Sequence, residues 1–170
     1  MIKLEATSIQ KRFWVLSKLN PESAAYNIQY QFDLEGNVNV TLLISALDYY
    51  VNKINAACRT HFINTDSQLF QIIQDRIDLK VKQISLTKEK NINEIRDEIF
   101  YPTFNLESDP LYRFALIKIS ENHYTLFACF HHIIYDNGSE TKFFETLEKI
   151  YNRNKADSFN NESNVSQTYL

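Results

Sequence analysis

Two adjacent histidines, His131 and His132, close an apolar run, and a carboxylate, Asp136, follows four residues after the second. Imidazole titrates near neutral pH, so a histidine held at the end of a rigid strand is placed for proton transfer. General-base help of that kind is worth roughly 10²–10⁴-fold in rate. No covalent nucleophile is expected beside it. The chain has no Gly-x-Ser-x-Gly elbow, and Cys129 sits inside the apolar run. Two plainer readings stand next to catalysis: a pair of satisfied polar side chains, or a zinc site. The zinc reading lacks a third and fourth ligand at metal spacing, since His61 and His123 are isolated in sequence. Asp136 reads more readily as a structural partner for an arginine than as a second catalytic carboxylate, and Arg59 is the candidate arginine.

The element that must hold the pair is a strand over 124–132, joined by Ser120-Glu121-Asn122-His123 to another over 111–119. Along the second strand Tyr124, Leu126, Ala128, Phe130 and His132 share one face. His123, Thr125, Phe127, Cys129 and His131 share the other. One histidine therefore anchors into the protein while the other faces outward, and alternation alone does not say which.

Upstream, a short helix is expected over 8–19, capped by Thr7 or Ser8, with Phe13, Leu16 and Ile9 inward. A half-buried strand follows over 26–34, then a helix over 40–54 with Leu42, Leu43, Ala46, Leu47, Tyr50 and Val51 at helical spacing. Strands are expected over 59–64, 68–74 and 79–84, an amphipathic helix over 91–101, and a last helix from Ser139 to about Asn152. The tail is polar and rich in Asn and Ser, which reads as a linker. The expected class is α/β, a mixed β-sheet covered by helices.

A length of 170 residues fits one domain, and 12 Phe and 10 Tyr supply a substantial core. A net charge of −3 offers no electrostatic footprint for nucleic acid or an anionic membrane. No apolar run is long enough to span a bilayer, and Met1-Ile2-Lys3-Leu4-Glu5 has no signal-peptide layout. The two cysteines, Cys58 and Cys129, read as buried thiols, so a cytoplasmic location is expected.

Four segments in order carry a family pattern. Gln10, Arg12, Trp14 and Leu16 fit S-x-A-Q-x-R-L-W-x-L, with Thr7, Ile9 and Phe13 in place of its serine, alanine and first leucine. Arg59, Thr60 and Phe62 fit the end of R-H-E-x-L-R-T-x-F, whereas Ile54, Asn55 and Ala56 depart from its start. Phe104-Asn105-Leu106 and Pro110-Leu111-Tyr112-Arg113 fit F-D-L-x-x-x-P-L-x-R. His131, His132 and Asp136 fit H-H-x-x-x-D-G, with Asn137 in place of the glycine and Gly138 one residue late. Together these resemble the condensation domains of nonribosomal peptide synthetases and their relative chloramphenicol acetyltransferase.

The resemblance implies a chloramphenicol acetyltransferase-like sandwich, one lobe of a two-lobed domain. Residues 1–153 would form the N-terminal lobe, and 154–170 a polar linker towards a missing second lobe, with Tyr169-Leu170 opening the family's Y-x-D-Y/F motif. It implies amide-bond formation between an acyl or peptidyl thioester and an aminoacyl acceptor, with His132 facing the cleft as the catalytic residue. His131, Asp136, Arg59, Asn137 and Gly138 would support the site. No tightly bound cofactor is implied; the substrates would ride on phosphopantetheine arms of carrier (thiolation) domains. The other partner would be the second lobe or a second copy of the chain. A half-domain would leave its cleft face open, so the isolated chain is expected to be inactive. Two alternatives remain: a non-catalytic docking half-domain, and an acyl-CoA-dependent transferase with an intersubunit site.

Overall fold

The computed structural model describes residues 1–87, 91–108, 110–136, 138–158 and 166–168, with 154–158 and 166–168 as backbone. The predicted strand pair becomes β6 (Tyr112–Ser120) and β7 (His123–His131), antiparallel at the centre of a five-stranded mixed sheet. The order is β5-β6-β7-β2-β8, with β5 (Val81–Ser85) parallel to β6, β2 (Asn27–Glu35) antiparallel to β7 and a short β8 (Ser166–Thr168) antiparallel to β2. Both faces of β6 and β7 are covered, so they read as near-continuous apolar runs.

On one face, Tyr30, Phe32, Phe114, Leu126 and Phe130 pack beneath α2 (Val40–Tyr49) and α4 (Ser139–Ser158). On the other, Ala115, Ile117, Phe127 and Cys129 pack with Ile95, Ile99 and Phe100 of α3 (Ile92–Phe100) and with Trp14 and Phe62. A small antiparallel sheet, β1-β4-β3, is formed by Ile2–Glu5, Gln68–Ile73 and Thr60–Thr65. Its β3–β4 turn puts Asp66 and Ser67 at φ 51° and 64°, as a two-residue hairpin loop requires.

The helix α1 (Ser8–Leu19) is capped by Thr7 rather than Ser8. The Thr7 side chain accepts from the Gln10 amide, and the Gln10 side chain accepts from the Thr7 amide. This reciprocal cap gives Gln10 a local reason to be where it is.

Several expectations shift. Ile9 is not inward but 67% exposed, because Trp14 takes the buried face of α1. The helix from Val40 turns into a π-helical stretch over Tyr50–Ile54, followed by a 3₁₀ turn at Ala56–Arg59. The last helix runs on to Ser158, and Ser166–Thr168 adds a short strand, β8, beside β2 within the stretch that reads as linker. Strand β1 has no counterpart among the expected elements, since Ile2–Glu5 is too short to show a period. No helix among the described residues is long and apolar enough to cross a membrane.

Candidate active site

The end of β7 places the two histidines in unlike surroundings. His131 is its last residue, 4% exposed, with its amide donating to Leu111 O at 2.9 Å. The chain then turns: the Ile134 amide donates to His131 O at 3.0 Å, and the His132 amide donates to Tyr26 O at 2.8 Å. Inside that turn the Ile133 amide donates to His131 Nδ1 at 3.0 Å. A ring nitrogen that accepts carries no proton, so in the neutral imidazole the proton sits on Nε2. Nε2 faces Ser17 Oγ at 3.4 Å and is the donor of that pair. His131 thus cannot act as a base towards Ser17. Burial, then the nearby His132 and Arg113, push its pKa down to about 4, which keeps it neutral.

His132 is half-buried. Its ring stacks on Phe13 of α1, with centroids 4.7 Å apart and planes 20° from parallel. Phe13 is braced edge-on by Tyr26 at 5.4 Å. His132 lines an open depression of about 710 Å³. Its apolar wall is Ile9, Phe13, Leu16 and Tyr26 with Ile133 to Tyr135, and its polar rim is Thr7, Gln10, Arg12, Asp136 and Ser139. The structure therefore separates the pair that alternation left open: His131 is anchored, and His132 meets the open side.

Asp136 is exposed, and its Oδ1 accepts from Ser139 Oγ at 2.5 Å. The Ser139 amide donates to Asp136 O at 3.1 Å, so this residue ties down the start of α4. The expected Arg59–Asp136 ion pair does not form. Arg59 donates from Nε to Val51 O at 3.2 Å and from Nη1 to Gln74 O and to Asp75 O, the latter at 3.0 Å. Backbone carbonyls at the end of β4 need donors, and the guanidinium fork supplies them. Arg59 lines a separate depression, with His61 and Gln74. Gly138 is exposed, and a Cβ there would meet nothing closer than Asp136 Oδ1 at 3.7 Å, so space does not demand glycine. Asn137 lies outside the described residues, as do Tyr169 and Leu170.

Both thiols are buried, and burial pushes each up to about 12, which removes them as nucleophiles at neutral pH. No cluster of three or more metal-ligating side chains occurs among the described residues.

The other sequence motifs converge on the same strand end. Phe104 meets His131 edge-on at 6.0 Å, Leu106 O accepts from the Phe62 amide, and Leu111 receives the His131 amide. The sequence reads Phe13 as core and does not single out Tyr26, Tyr135 or Arg12 as site residues. A signal is available for the helix: Ile9, Phe13 and Leu16 lie on one side of α1, yet the side is not fully buried.

The family profile of the condensation domain matches residues 3–170. The chain belongs to the condensation-domain family. It is 31% identical over 145 residues to bacitracin synthase 1 of Bacillus licheniformis, covering 85% of this chain and 3% of that protein. It is 31% identical over 150 residues to tyrocidine synthase 2 of Brevibacillus parabrevis, covering 88% and 4%. The crystal structure of the starter condensation domain of rhizomide synthetase RzmA matches the fold with a TM-score of 0.84 at 20% identity, over 96% of this chain and 40% of that one. The X-domain from teicoplanin biosynthesis, solved in complex with OxyB, matches with a TM-score of 0.80 at 25% identity, over 92% and 34%. The chain thus spans a small part of the synthases and about two-fifths of the solved starter domain.

Proposed function

We propose that this chain is the histidine-bearing N-terminal lobe of a peptide-synthetase condensation domain, and that His132 is its catalytic residue. The lobe would comprise residues 1–153, and 154–170 would lead towards the second lobe. In the reaction, the amine of a carrier-bound aminoacyl thioester attacks the carbonyl of an upstream acyl or peptidyl thioester. A C–N bond forms, the C–S bond breaks, and the upstream phosphopantetheine leaves as a thiolate that takes up the proton lost by the amine. His132 accepts or steers that proton, or stabilises the charged intermediate. Both substrates arrive on phosphopantetheine arms of carrier domains, in the cytoplasm.

One observation carries the reading: of the two imidazoles, only His132 borders the large depression with its side chain free of a hydrogen-bond partner among the described residues. Its stack on Phe13 fixes the ring while leaving the nitrogens for substrate. The apolar wall suits an acyl chain. Because the wall comes from one lobe, the isolated chain is inactive and needs the second lobe, or another copy, to close the site.

The test is an acyl-transfer assay with pantetheinyl thioesters, run on the isolated chain and on the chain completed with the second lobe of a related condensation domain. Turnover in the completed domain, lost by 10²-fold or more in His132→Ala, is expected. Full turnover in that variant would refute the assignment. A completed, folded domain without turnover that still binds carrier protein would favour the non-catalytic docking reading.

A further inference from the structure

We propose that Arg113 and Phe104 form a positioning unit that holds the His131 ring and, through it, the backbone turn carrying His132. The inference rests on His132 being the working imidazole, as proposed above. Three linked contacts carry it.

The first pins the segment after α3. The Arg113 guanidinium donates to Pro102 O at 2.7 Å and to Thr103 O at 2.6 Å. From β2, Asn27 Nδ2 donates to Phe100 O at 2.7 Å and to Pro102 O at 3.0 Å, so the segment is held from two strands. The second contact fixes a ring on that segment. The Arg113 guanidinium lies 3.7 Å from the Phe104 centroid, a cation–π arrangement in a site where Phe104 is 8% exposed. The third passes orientation to the histidine. Phe104 and His131 meet edge-to-face at 86° with centroids 6.0 Å apart, which sets the plane of the imidazole, while the Ile133 hydrogen bond to Nδ1 sets which way round the ring sits in that plane.

Turning the His131 ring over would replace Nδ1 by a carbon and leave the Ile133 amide unpaired inside the protein. Protonating His131 would do the same, because Nδ1 would become a donor. The positive charge of Arg113 opposes that protonation. Arg113 thus acts twice, through the Phe104 ring and through its field. Arg113 does not border the His132 depression, so it is a positioning residue.

The test uses the whole 170-residue chain labelled with ¹⁵N-histidine, with imidazole ¹⁵N shifts followed from pH 8 to 4 and amide exchange measured at Ile133. In the parent chain, His131 is expected as a single Nε2–H tautomer that stays neutral through pH 5. In Arg113→Gln its titration is expected to move up towards the ordinary histidine value, because a nearby positive charge is lost, and in Phe104→Leu it is expected to move the same way as the ring is less tightly covered. Ile133 exchange is expected to speed up by about tenfold. Phe104→Tyr keeps the aromatic ring and should restore the parent signature, whereas Phe104→Leu, which keeps apolar bulk without a ring, should lose it; a merely space-filling role predicts the parent signature in both. Arg113→Lys, which keeps the charge but not the two-carbonyl fork, decides the matter if Arg113→Gln does not fold. Unchanged His131 tautomer, titration and Ile133 exchange in folded Arg113 and Phe104 variants would overturn the proposal. None of these readouts needs turnover. Full activity in His132→Ala would overturn the functional reading while leaving these shifts in place.

Discussion

Lowering the pH should weaken this fold through His131 over a window set by its surroundings. Its ordinary value of 6.5 is pushed down to about 4, chiefly by burial. The folded state therefore prefers the neutral ring, while the unfolded chain takes up a proton once the pH falls below about 6.5. Between those values the unfolded state binds more protons, so stability rises with pH and is lost as pH falls. The contribution is fully present above about pH 6.5 and declines by about 1.4 kcal/mol per unit towards pH 4. Between pH 7 and pH 5 the loss from this one group is about 2 kcal/mol. Urea unfolding at pH 7, 6 and 5, on the parent chain and on His131→Asn, isolates it. Asparagine keeps an acceptor for the Ile133 amide but does not titrate, and the carboxylates contribute alike to both proteins. The stability difference between the two should change by about 2 kcal/mol across the range. A difference that stays flat would refute the buried, neutral His131.

Phe130→Ala should destabilise by about 3–5 kcal/mol in denaturant unfolding, because its ring is fully buried against Tyr30, Phe114, Phe143 and Tyr135. Thr7→Ala removes the reciprocal cap of α1 and should cost about 1 kcal/mol, read from the same titration. Asp136→Asn should leave the unfolding midpoint unchanged, whereas Arg59→Met should lower it, since Arg59 holds three backbone carbonyls and Asp136 is exposed. Equal losses in those two variants would reinstate the ion pair between them.

Much of this architecture is legible along the chain. The runs over β6 and β7 announce a central strand pair, because strands buried on both faces lose their alternation and become wholly apolar. The cap at Thr7 and the spacing of Leu43, Ala46 and Leu47 place helices, since these are local properties of helix ends and faces. The adjacent histidines and their carboxylate, with the three other motifs in order, single out the strand end where they meet.

Other features are decided only by tertiary contact. Alternation requires His131 and His132 to differ, but it is symmetric, and the asymmetry comes from what lies on each side: Phe104 and Ser17 against one ring, Phe13 and open space against the other. The fate of Arg59 shows the same limit. A charge invites pairing with a distant carboxylate, yet the unpaired carbonyls of its neighbours at Val51, Gln74 and Asp75 lie nearer and claim it. Ile9 reads as inward by spacing and is outward because Trp14, larger and on the other side of α1, fills the core. The types and order of the site residues are properties of the sequence. Which ring is buried, and which meets the open depression, is a property of the packing around them.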